Sequence, residues 1–235
     1  MAGVAAAAMA VTSGTPALAP ALSGPTVRVA VTTTSTLSNS RALVAVVYKR
    51  IAVYNLPHGR VISHESSLTS MGSRRVLLIT KQRSDGWLQV ELPVRPNGTR
   101  AWIRKADVIV TVNRMRIVID RAARTLTLLK SGVRVGRWPA AVGKPSTPTP
   151  TGLFYVTDKI VVTSYGAYGP YALALSGYSN VFTSFNGGDG VVGIHGTNVD
   201  SSVGHAVTHG CIRMHNSDIP KLYKQIAIGV PVQIK

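Results

Sequence analysis

Cysteine and acidic residues are scarce in this chain of 235 residues, which has one cysteine, Cys211, and nine Asp and Glu residues. A single cysteine excludes an intramolecular disulfide, and it also excludes the zinc sites that are built from two cysteine pairs. No stretch after the N-terminal leader has 18 uninterrupted apolar residues. The sequence therefore predicts no integral membrane span apart from a signal segment.

Basic residues are abundant by contrast, and the 26 Lys and Arg residues give a formal net charge of +17. The charge is distributed, because residues 1–111 carry 13 basic and 4 acidic residues and residues 112–235 carry 13 and 5. No RRM, zinc-finger or helix-turn-helix pattern accompanies it, which argues against nucleic acid as the partner. We expect an anionic matrix, such as the polymers of a cell envelope, to be the partner of this surface.

The N-terminal residues 1–41 are rich in Ala, Pro, Ser and Thr and have no periodicity. A short apolar run reaches an A-x-A pattern at Ala17–Ala19, which is typical of a secretory signal, although no Lys or Arg precedes the run. A disordered leader is the alternative interpretation. We expect export to the cell wall or extracellular space, with TTTSTLSNS (32–40) acting as a flexible tether.

Residues 42–111 contain five short β-rich runs that are separated by turn signals. The strongest turn signals are Asp85-Gly86 and Asn97-Gly98. Five short strands in about 70 residues predict a small barrel. The segment GWLQVELPVRPNGTRAWIRKADV resembles a bacterial SH3-like domain, in which Trp87 and Trp102 would belong to the barrel core or its groove.

Residues 112–235 predict a second, mainly β domain with one or two short helices. Alternating runs such as MRIVID and TLTLLK indicate strands, and the Gly-, Ser- and Tyr-rich residues 163–190 are typical of a substrate-facing loop. The segment SDIPKLYKQIAIG predicts a helix with Pro220 in its first turn. We expect Asn216 or Ser217 to cap this helix and Gly229 to end it.

The segment GIHGTNVDSSVGHAVTHGCIRMHN (193–216) holds Cys211 and four histidines, which are His195, His205, His209 and His215. His205 and His209 have the spacing of zinc ligands, but one thiol without a second cysteine pair argues against a metal site. Core histidines would explain His205 and His215, but not the glycines beside His195 and Cys211. A nucleophilic thiol needs a base and backbone N–H groups that glycine lets approach a ligand closely, so this interpretation accounts for more of the pattern.

The pattern I-H-G-T, a connection containing S-x-G, and then T-H-G-C-I-R-M-H-N resembles the signature of L,D-transpeptidases of the YkuD family. The segment RIVIDRAARTLTLLKSGVRVGRWPAAVGKPSTPTPTGLFYV is similar to the opening of the same catalytic domain. The resemblance spans residues 113–235 and implies a YkuD-type β-sandwich. The order of histidine before cysteine differs from papain-like and NlpC-type peptidases, in which the cysteine comes first.

The resemblance implies that Cys211 is the nucleophile and His195 its general base. It also implies that the Gly196 carbonyl holds the second ring nitrogen of His195. We expect the N–H groups of His209, Gly210 and Cys211 to form an oxyanion hole.

Three further residues and a set of aromatic side chains are also candidates for the site. We expect Arg213 to anchor a substrate carboxylate, with a structural salt bridge as the alternative, and Thr208 to contact the substrate. Asn216 is expected to order the loop. The aromatic candidates for lining the cleft, with ordinary packing as the alternative for each, are Tyr165, Tyr168, Tyr171 and Phe185.

The function implied is a peptidoglycan L,D-transpeptidase, which forms a cysteine thioester with a donor stem tetrapeptide, releases D-alanine and makes a 3→3 cross-link. The alternatives are an L,D-carboxypeptidase that uses water as the acceptor, and a non-catalytic cell-wall-binding protein. Neither a metal nor an organic cofactor is implied. The expected partners are peptidoglycan stem peptides and anionic envelope polymers, and we expect a monomer.

The charge distribution leads to a first prediction about binding to purified cell wall. We expect retention on the wall to fall steeply as salt is added, because exposed charges are screened beyond about 10 Å at 0.1 M ionic strength. Co-sedimentation at increasing salt measures this, with residues 1–111 and 112–235 contributing similarly. Sequence-selective DNA binding that survives physiological salt would contradict the prediction.

Overall fold

A computed structural model describes residues 30–164, 166–184 and 188–235, and these residues form two large β-sheets and one α-helix. The predicted mainly β fold is confirmed. Most of the predicted leader, up to residue 29, lies outside the described residues. No helix in the described part of the chain is long and apolar enough to cross a membrane.

The first sheet covers most of residues 31–113. Its strands are β1 (Thr33–Ser35), β2 (Ala42–Val46), β3 (Ile51–Tyr54), β4 (Val61–Glu65), β5 (Val76–Arg83), β6 (Trp87–Glu91), β7 (Arg100–Arg104) and β8 (Ile109–Asn113). They follow the order β4-β3-β7-β6-β5-β2-β8, with β1 paired to β5. The SH3-like assignment of residues 42–111 stays a prediction.

Both turn signals of this sheet lie between paired antiparallel strands. Asp85-Gly86 joins β5 to β6, and Asn97-Gly98 lies between β6 and β7. Gly86 and Gly98 have φ angles of 86° and 80°, a conformation that glycine adopts without strain. The sequence pattern therefore located these two connections correctly.

Two strands of the first sheet lie outside the five predicted β-rich runs, and the last predicted run contains both β7 and the start of β8. Thr33–Ser35 lies in the predicted flexible tether, but the structure pairs it antiparallel with Lys81–Arg83, so the tether interpretation is wrong for these residues. β4 is almost entirely exposed and has no buried face, which leaves no alternating pattern to detect. In both cases an existing strand supplies the hydrogen-bonding partner, so pairing rather than local pattern creates the strand.

The second sheet is formed by residues 115–234. The strands of this region are β9 (Met115–Asp120), β10 (Thr125–Lys130), β11 (Val133–Pro139), β12 (Val142–Gly143), β13 (Gly152–Val161), β14 (Tyr171–Tyr178), β15 (Val191–His195), β16 (Ala206–Thr208), β17 (Ile212–Arg213) and β18 (Pro231–Ile234). Eight of them follow the order β11-β10-β9-β18-β13-β14-β15-β17, and β12 pairs with β16 separately. One continuous apolar core packs on this sheet, from Ile117 to Ile234.

The α-helix, α1 (Ile219–Gln225), is shorter than predicted and begins differently. Asp218 occupies the N-cap position and its side chain makes no cap hydrogen bond, so the predicted cap by Asn216 or Ser217 is wrong. Pro220 lies in the first turn as expected. The helix ends at Gln225 rather than near Gly229, because Ile226 is extended and its side chain is buried in the core.

The two sheets share an interface. Tyr155 of β13 is fully buried within the apolar cluster of the first sheet, and its hydroxyl donates to the Glu91 carbonyl oxygen at 3.3 Å. Gly229 lies against Val76 and Val44, where a Cβ would collide with the Val76 side chain. Residues Val31–Lys235 accordingly form one compact unit.

Candidate active site

The pairing of β15 with β17 brings the predicted catalytic residues to one side of the sheet. The two strands run parallel, with Ile194 opposite Ile212 and His195 opposite Arg213. Both isoleucines are fully buried in the core. Because side chains alternate along a strand, His195 and Arg213 project to the opposite side, and Cys211 projects with them.

His195 is buried, with 4% of its surface exposed. Its Nδ1 lies 2.6 Å from the Gly196 carbonyl oxygen, which is the contact that the resemblance implied. A carbonyl only accepts, so Nδ1 carries the proton and Nε2 is left as the basic nitrogen. The ring centroids of Tyr168 and His195 lie 4.8 Å apart, and Tyr168 is itself exposed to solvent.

Both titratable groups are held in their neutral forms. Burial lowers the pKa of His195 to about 4, with Arg213 adding to this effect and the Gly196 carbonyl opposing it. Burial also raises the pKa of Cys211, while the Gly193 N–H and the Arg213 charge act in the opposite direction. A neutral imidazole is able to take the proton of a neutral thiol, so the pair suits general-base activation.

The loop before Cys211 is ordered by Thr208, which is fully buried. The Thr208 hydroxyl donates to the Cys211 carbonyl oxygen at 2.6 Å and accepts from the Gly210 N–H at 3.1 Å. The Thr208 carbonyl oxygen accepts from the Thr147 hydroxyl at 2.9 Å. The substrate contact expected of Thr208 stays a prediction, and its hydroxyl is already engaged within the loop.

The same contact bears on the predicted oxyanion hole. The Gly210 N–H is bonded to Thr208, so it would have to leave that bond to receive an oxyanion. The φ of Gly210 is 122°, which only glycine adopts readily. The participation of His209 and Gly210 in an oxyanion hole stays a prediction.

The backbone of Arg213 is held by hydrogen bonds, whereas the Nε of its guanidinium has no hydrogen-bond partner. Its N–H and carbonyl groups both bond to Ala141, at 3.0 and 2.8 Å. Its Nε is buried without a hydrogen-bond partner. No ion pair of Arg213 is found within the described residues, so the structural salt bridge that was the alternative has no observed partner there.

Asn216 orders the segment that follows His195. Its side-chain oxygen accepts from the Thr197 N–H at 2.9 Å. Gly196 and Gly169 pack so closely against this amide that a Cβ on either would collide with it. Of the two contacts expected of Asn216, the structure shows a bond to the loop backbone and no cap of the helix, and its role in the site stays a prediction.

Two cavities meet at His195 and Cys211. The first, of about 230 Å³, also contains Arg213, His209 and Phe182. The second, of about 480 Å³, extends from Cys211 to Met71, which belongs to the first sheet's part of the chain. Tyr168 lines both cavities, as expected of a cleft residue.

Among the remaining candidates, neither cavity is lined by Tyr171, His205 or His215. Tyr171 stacks on Tyr223 with ring centroids 4.4 Å apart, and Tyr165 and Phe185 are outside the described residues. His215 bonds to Asp200, and His205 bonds through its backbone to Val142 and Ser202. Across residues 30–164, 166–184 and 188–235, no three His, Cys, Asp or Glu side chains gather in a way that could hold a metal ion. The sequence did not identify Ser179, Phe182 or Met71 as cleft residues, because no local motif marks them.

Comparison with known proteins agrees with this geometry. Residues 114–234 match the model of the YkuD family, described as the L,D-transpeptidase catalytic domain. The chain is 39% identical to two relatives that bear the name L,D-transpeptidase YkuD. The match covers 50% of this chain and 64% of the protein from Bacillus subtilis (strain 168), and 56% and 70% for the one from Bacillus licheniformis. The chain thus spans less than two thirds of the Bacillus subtilis relative.

A solved structure, L,D-transpeptidase 3 from Mycobacterium tuberculosis, is also similar to this chain. The two are 16% identical, with a TM-score of 0.46, and the match covers 83% of this chain and 98% of the other.

The neutral state of the thiol gives a second prediction. We expect the rate of Cys211 alkylation by iodoacetamide to keep rising with pH up to at least about pH 9, because only the thiolate reacts and its pKa is raised. Intact-mass kinetics report the single adduct, since the chain has no other thiol. A rate that reaches a plateau near neutral pH would indicate a thiolate–imidazolium pair instead.

Proposed function

The chain belongs to the YkuD family of L,D-transpeptidase catalytic domains, and on that premise we propose that it makes 3→3 cross-links in peptidoglycan through a Cys211 thioester. The observation that carries the proposal is the placement of Cys211 and a neutral, oriented His195 on the same side of β15 and β17, lining the same two cavities. We further propose that it acts outside the cell membrane, where peptidoglycan and anionic envelope polymers lie, and the net charge of +17 supports this.

Acylation is the first half-reaction of the proposed mechanism. The Nε2 of His195 takes the thiol proton as Cys211 Sγ attacks the carbonyl carbon before the terminal D-alanine of a donor tetrapeptide. The C–N bond to D-alanine then breaks, and the imidazolium returns the proton to the leaving amine. The products are a thioester on Cys211 and free D-alanine, with a neutral imidazole regenerated.

Transfer is the second half-reaction. An amine from a neighbouring stem attacks the thioester carbonyl while His195 removes the amine's proton. The C–S bond breaks, the thiolate recovers a proton from the imidazolium, and an amide links the two stems. The two cavities that meet at Cys211 support this order of acylation and transfer, because donor and acceptor need separate approaches to the same sulfur.

The geometry also suits an orienting role for Arg213. Arg213 lines the smaller cavity, and its buried Nε lacks a protein partner. A guanidinium binds a carboxylate through two parallel N–H donors, and stem peptides carry carboxylates close to the scissile bond. Arg213 would thus anchor the donor with its scissile carbonyl beside Cys211.

The third prediction tests the function itself. Incubation with a muropeptide tetrapeptide should add the mass of the donor minus D-alanine to the wild-type protein, and a second stem should convert the adduct to cross-linked dimer. Cys211→Ser should lose essentially all turnover, because an alcohol is a much weaker nucleophile. His195→Ala should lose a factor on the order of 10² to 10⁴ while remaining folded.

Each of the other outcomes has a defined meaning. Release of tripeptide without dimer in the presence of an acceptor would make the protein an L,D-carboxypeptidase. Retention on purified wall with no adduct and no product would favour a non-catalytic wall-binding protein. Near-wild-type turnover of His195→Ala would require another base, with His209 the next candidate.

The fourth prediction concerns Arg213→Lys. We expect kcat/KM for tetrapeptide donors to fall sharply, because lysine cannot reproduce a two-point contact and misplacing the carbonyl by about 1 Å costs roughly a hundredfold. Alkylation of Cys211 by iodoacetamide should change little, since a small neutral reagent needs no carboxylate anchor. Equal losses in both assays would mean that Arg213 supports the thiol or the fold, and not the donor.

A further inference from the structure

A connection of the first sheet reaches into the wall of the catalytic cleft. The connection between β6 and β7 carries Arg95, whose guanidinium donates to three backbone carbonyl oxygens of the segment that follows β14. The distances are 2.6 Å from Nη1 to Ser179, 2.9 Å from Nη2 to Phe182 and 2.9 Å from Nη2 to Asp189. The Arg95 side chain therefore binds three separate points of the segment between β14 and β15.

Two of the three carbonyls that Arg95 binds, those of Ser179 and Phe182, belong to residues that line the smaller cavity. Ser179, Phe182 and Gly190 line it together with His195 and Cys211. Gly190 has a φ of 70°, and a Cβ there would collide with the Phe182 carbonyl oxygen and crowd Nη2 of Arg95. The described residues Ser179, Phe182 and Gly190 thus lie close to the guanidinium of Arg95.

Arg95 is itself held in place. Its guanidinium lies over the ring of Tyr178 at 4.8 Å, and the Tyr178 hydroxyl donates to the Pro93 carbonyl oxygen at 2.7 Å. Asn97 binds both the N–H and the carbonyl of Tyr178, each at 2.8 Å, in the manner of a paired strand. Arg95 and Asn97, both from the connection between β6 and β7, therefore bind the end of β14 and the segment after it.

The chemistry of this contact favours a positioning role over a simple ion pair. No acidic side chain forms a salt bridge with Arg95 among the described residues, and its side-chain hydrogen bonds there go to backbone carbonyls. A planar guanidinium has five N–H donors in a fixed geometry, so it can hold three carbonyls in one arrangement. An ammonium group has no such fixed arrangement.

We infer that Arg95, although it lies in the first sheet's part of the chain, is a positioning residue for the reaction at Cys211. It holds the cleft wall formed by Ser179, Phe182 and Gly190 in the arrangement that receives the donor stem. The inference rests on the proposed function for its substrate. It assigns the first sheet a part in substrate recognition at the catalytic cleft, separate from any binding of the sheet to the cell wall.

The test compares three variants of the full chain. Arg95→Ala removes all three carbonyl contacts, and Arg95→Lys retains the charge without the planar fork. Tyr155→Phe is the matched control, because it removes one hydrogen bond between the same two sheets without touching the cleft wall. For each variant we would measure Tm, kcat and KM for a tetrapeptide donor, Cys211 alkylation by iodoacetamide, and amide hydrogen exchange in residues 179–184.

We expect Arg95→Ala to lower kcat/KM by roughly tenfold to a hundredfold, as a displaced donor requires. Amide exchange in residues 179–184 should become at least about tenfold faster, because the Val181 and Phe182 N–H groups bond to the Ser179 hydroxyl within the held segment. Alkylation of Cys211 should stay within about twofold of wild type. Arg95→Lys should recover part of kcat/KM, and Tyr155→Phe should leave kcat/KM and exchange unchanged.

Several results would overturn the inference. Unchanged exchange in Arg95→Ala would mean that the guanidinium does not hold the wall, and faster exchange with unchanged kcat/KM would mean that the wall does not position the donor. An equal loss of kcat/KM in Tyr155→Phe would assign the effect to the sheet interface in general. If the wild-type protein turns over no donor, the proposed function has failed, and exchange in Arg95→Ala then decides whether Arg95 holds the wall.

Discussion

The arrangement of the site depends on the parallel pairing of two short strands, β15 and β17. The pairing is anchored by Ile194 and Ile212, which lie opposite each other and are fully buried. A shift by one residue would bring His195 into the core and an isoleucine into the cleft, because side chains alternate along a strand. The hydrophobic core therefore sets the side on which His195, Cys211 and Arg213 project, and β17 needs only two residues to do so.

The same burial sets the chemistry of the pair. A thiol removed from water ionises less readily, and an imidazole removed from water is protonated less readily, so both groups stay neutral together. The Gly196 carbonyl fixes the tautomer that leaves Nε2 basic. In the proposed reaction the imidazolium of His195 forms only when the substrate has bound and Cys211 gives up its proton.

Local patterns predicted the parts of the fold that are encoded locally. The turns at Asp85-Gly86 and Asn97-Gly98 lie between paired strands, and the mainly β class is confirmed. The candidate site residues His195, Cys211 and Arg213 could also be predicted from one short segment. Alternation along the strands determines which of their side chains share a face. The tether containing β1 and the cap of α1 were predicted wrongly. In each of these cases a distant partner decided the outcome: β5 paired with the tether, and Thr197 took the Asn216 amide.

The cleft wall could not be predicted for the same physical reason. Residues 179–184 have no alternating or helical pattern, and their backbone carbonyls need donors that the segment does not contain. Arg95 supplies donors to two of these carbonyls, across 84 and 87 positions of the sequence, and no local rule connects residues so far apart. The reacting groups come from one sheet, while the shape of the surface beside them depends on the other. A local motif therefore predicts the nucleophile and its base, whereas the proposed recognition of the donor depends on contacts between the two sheets.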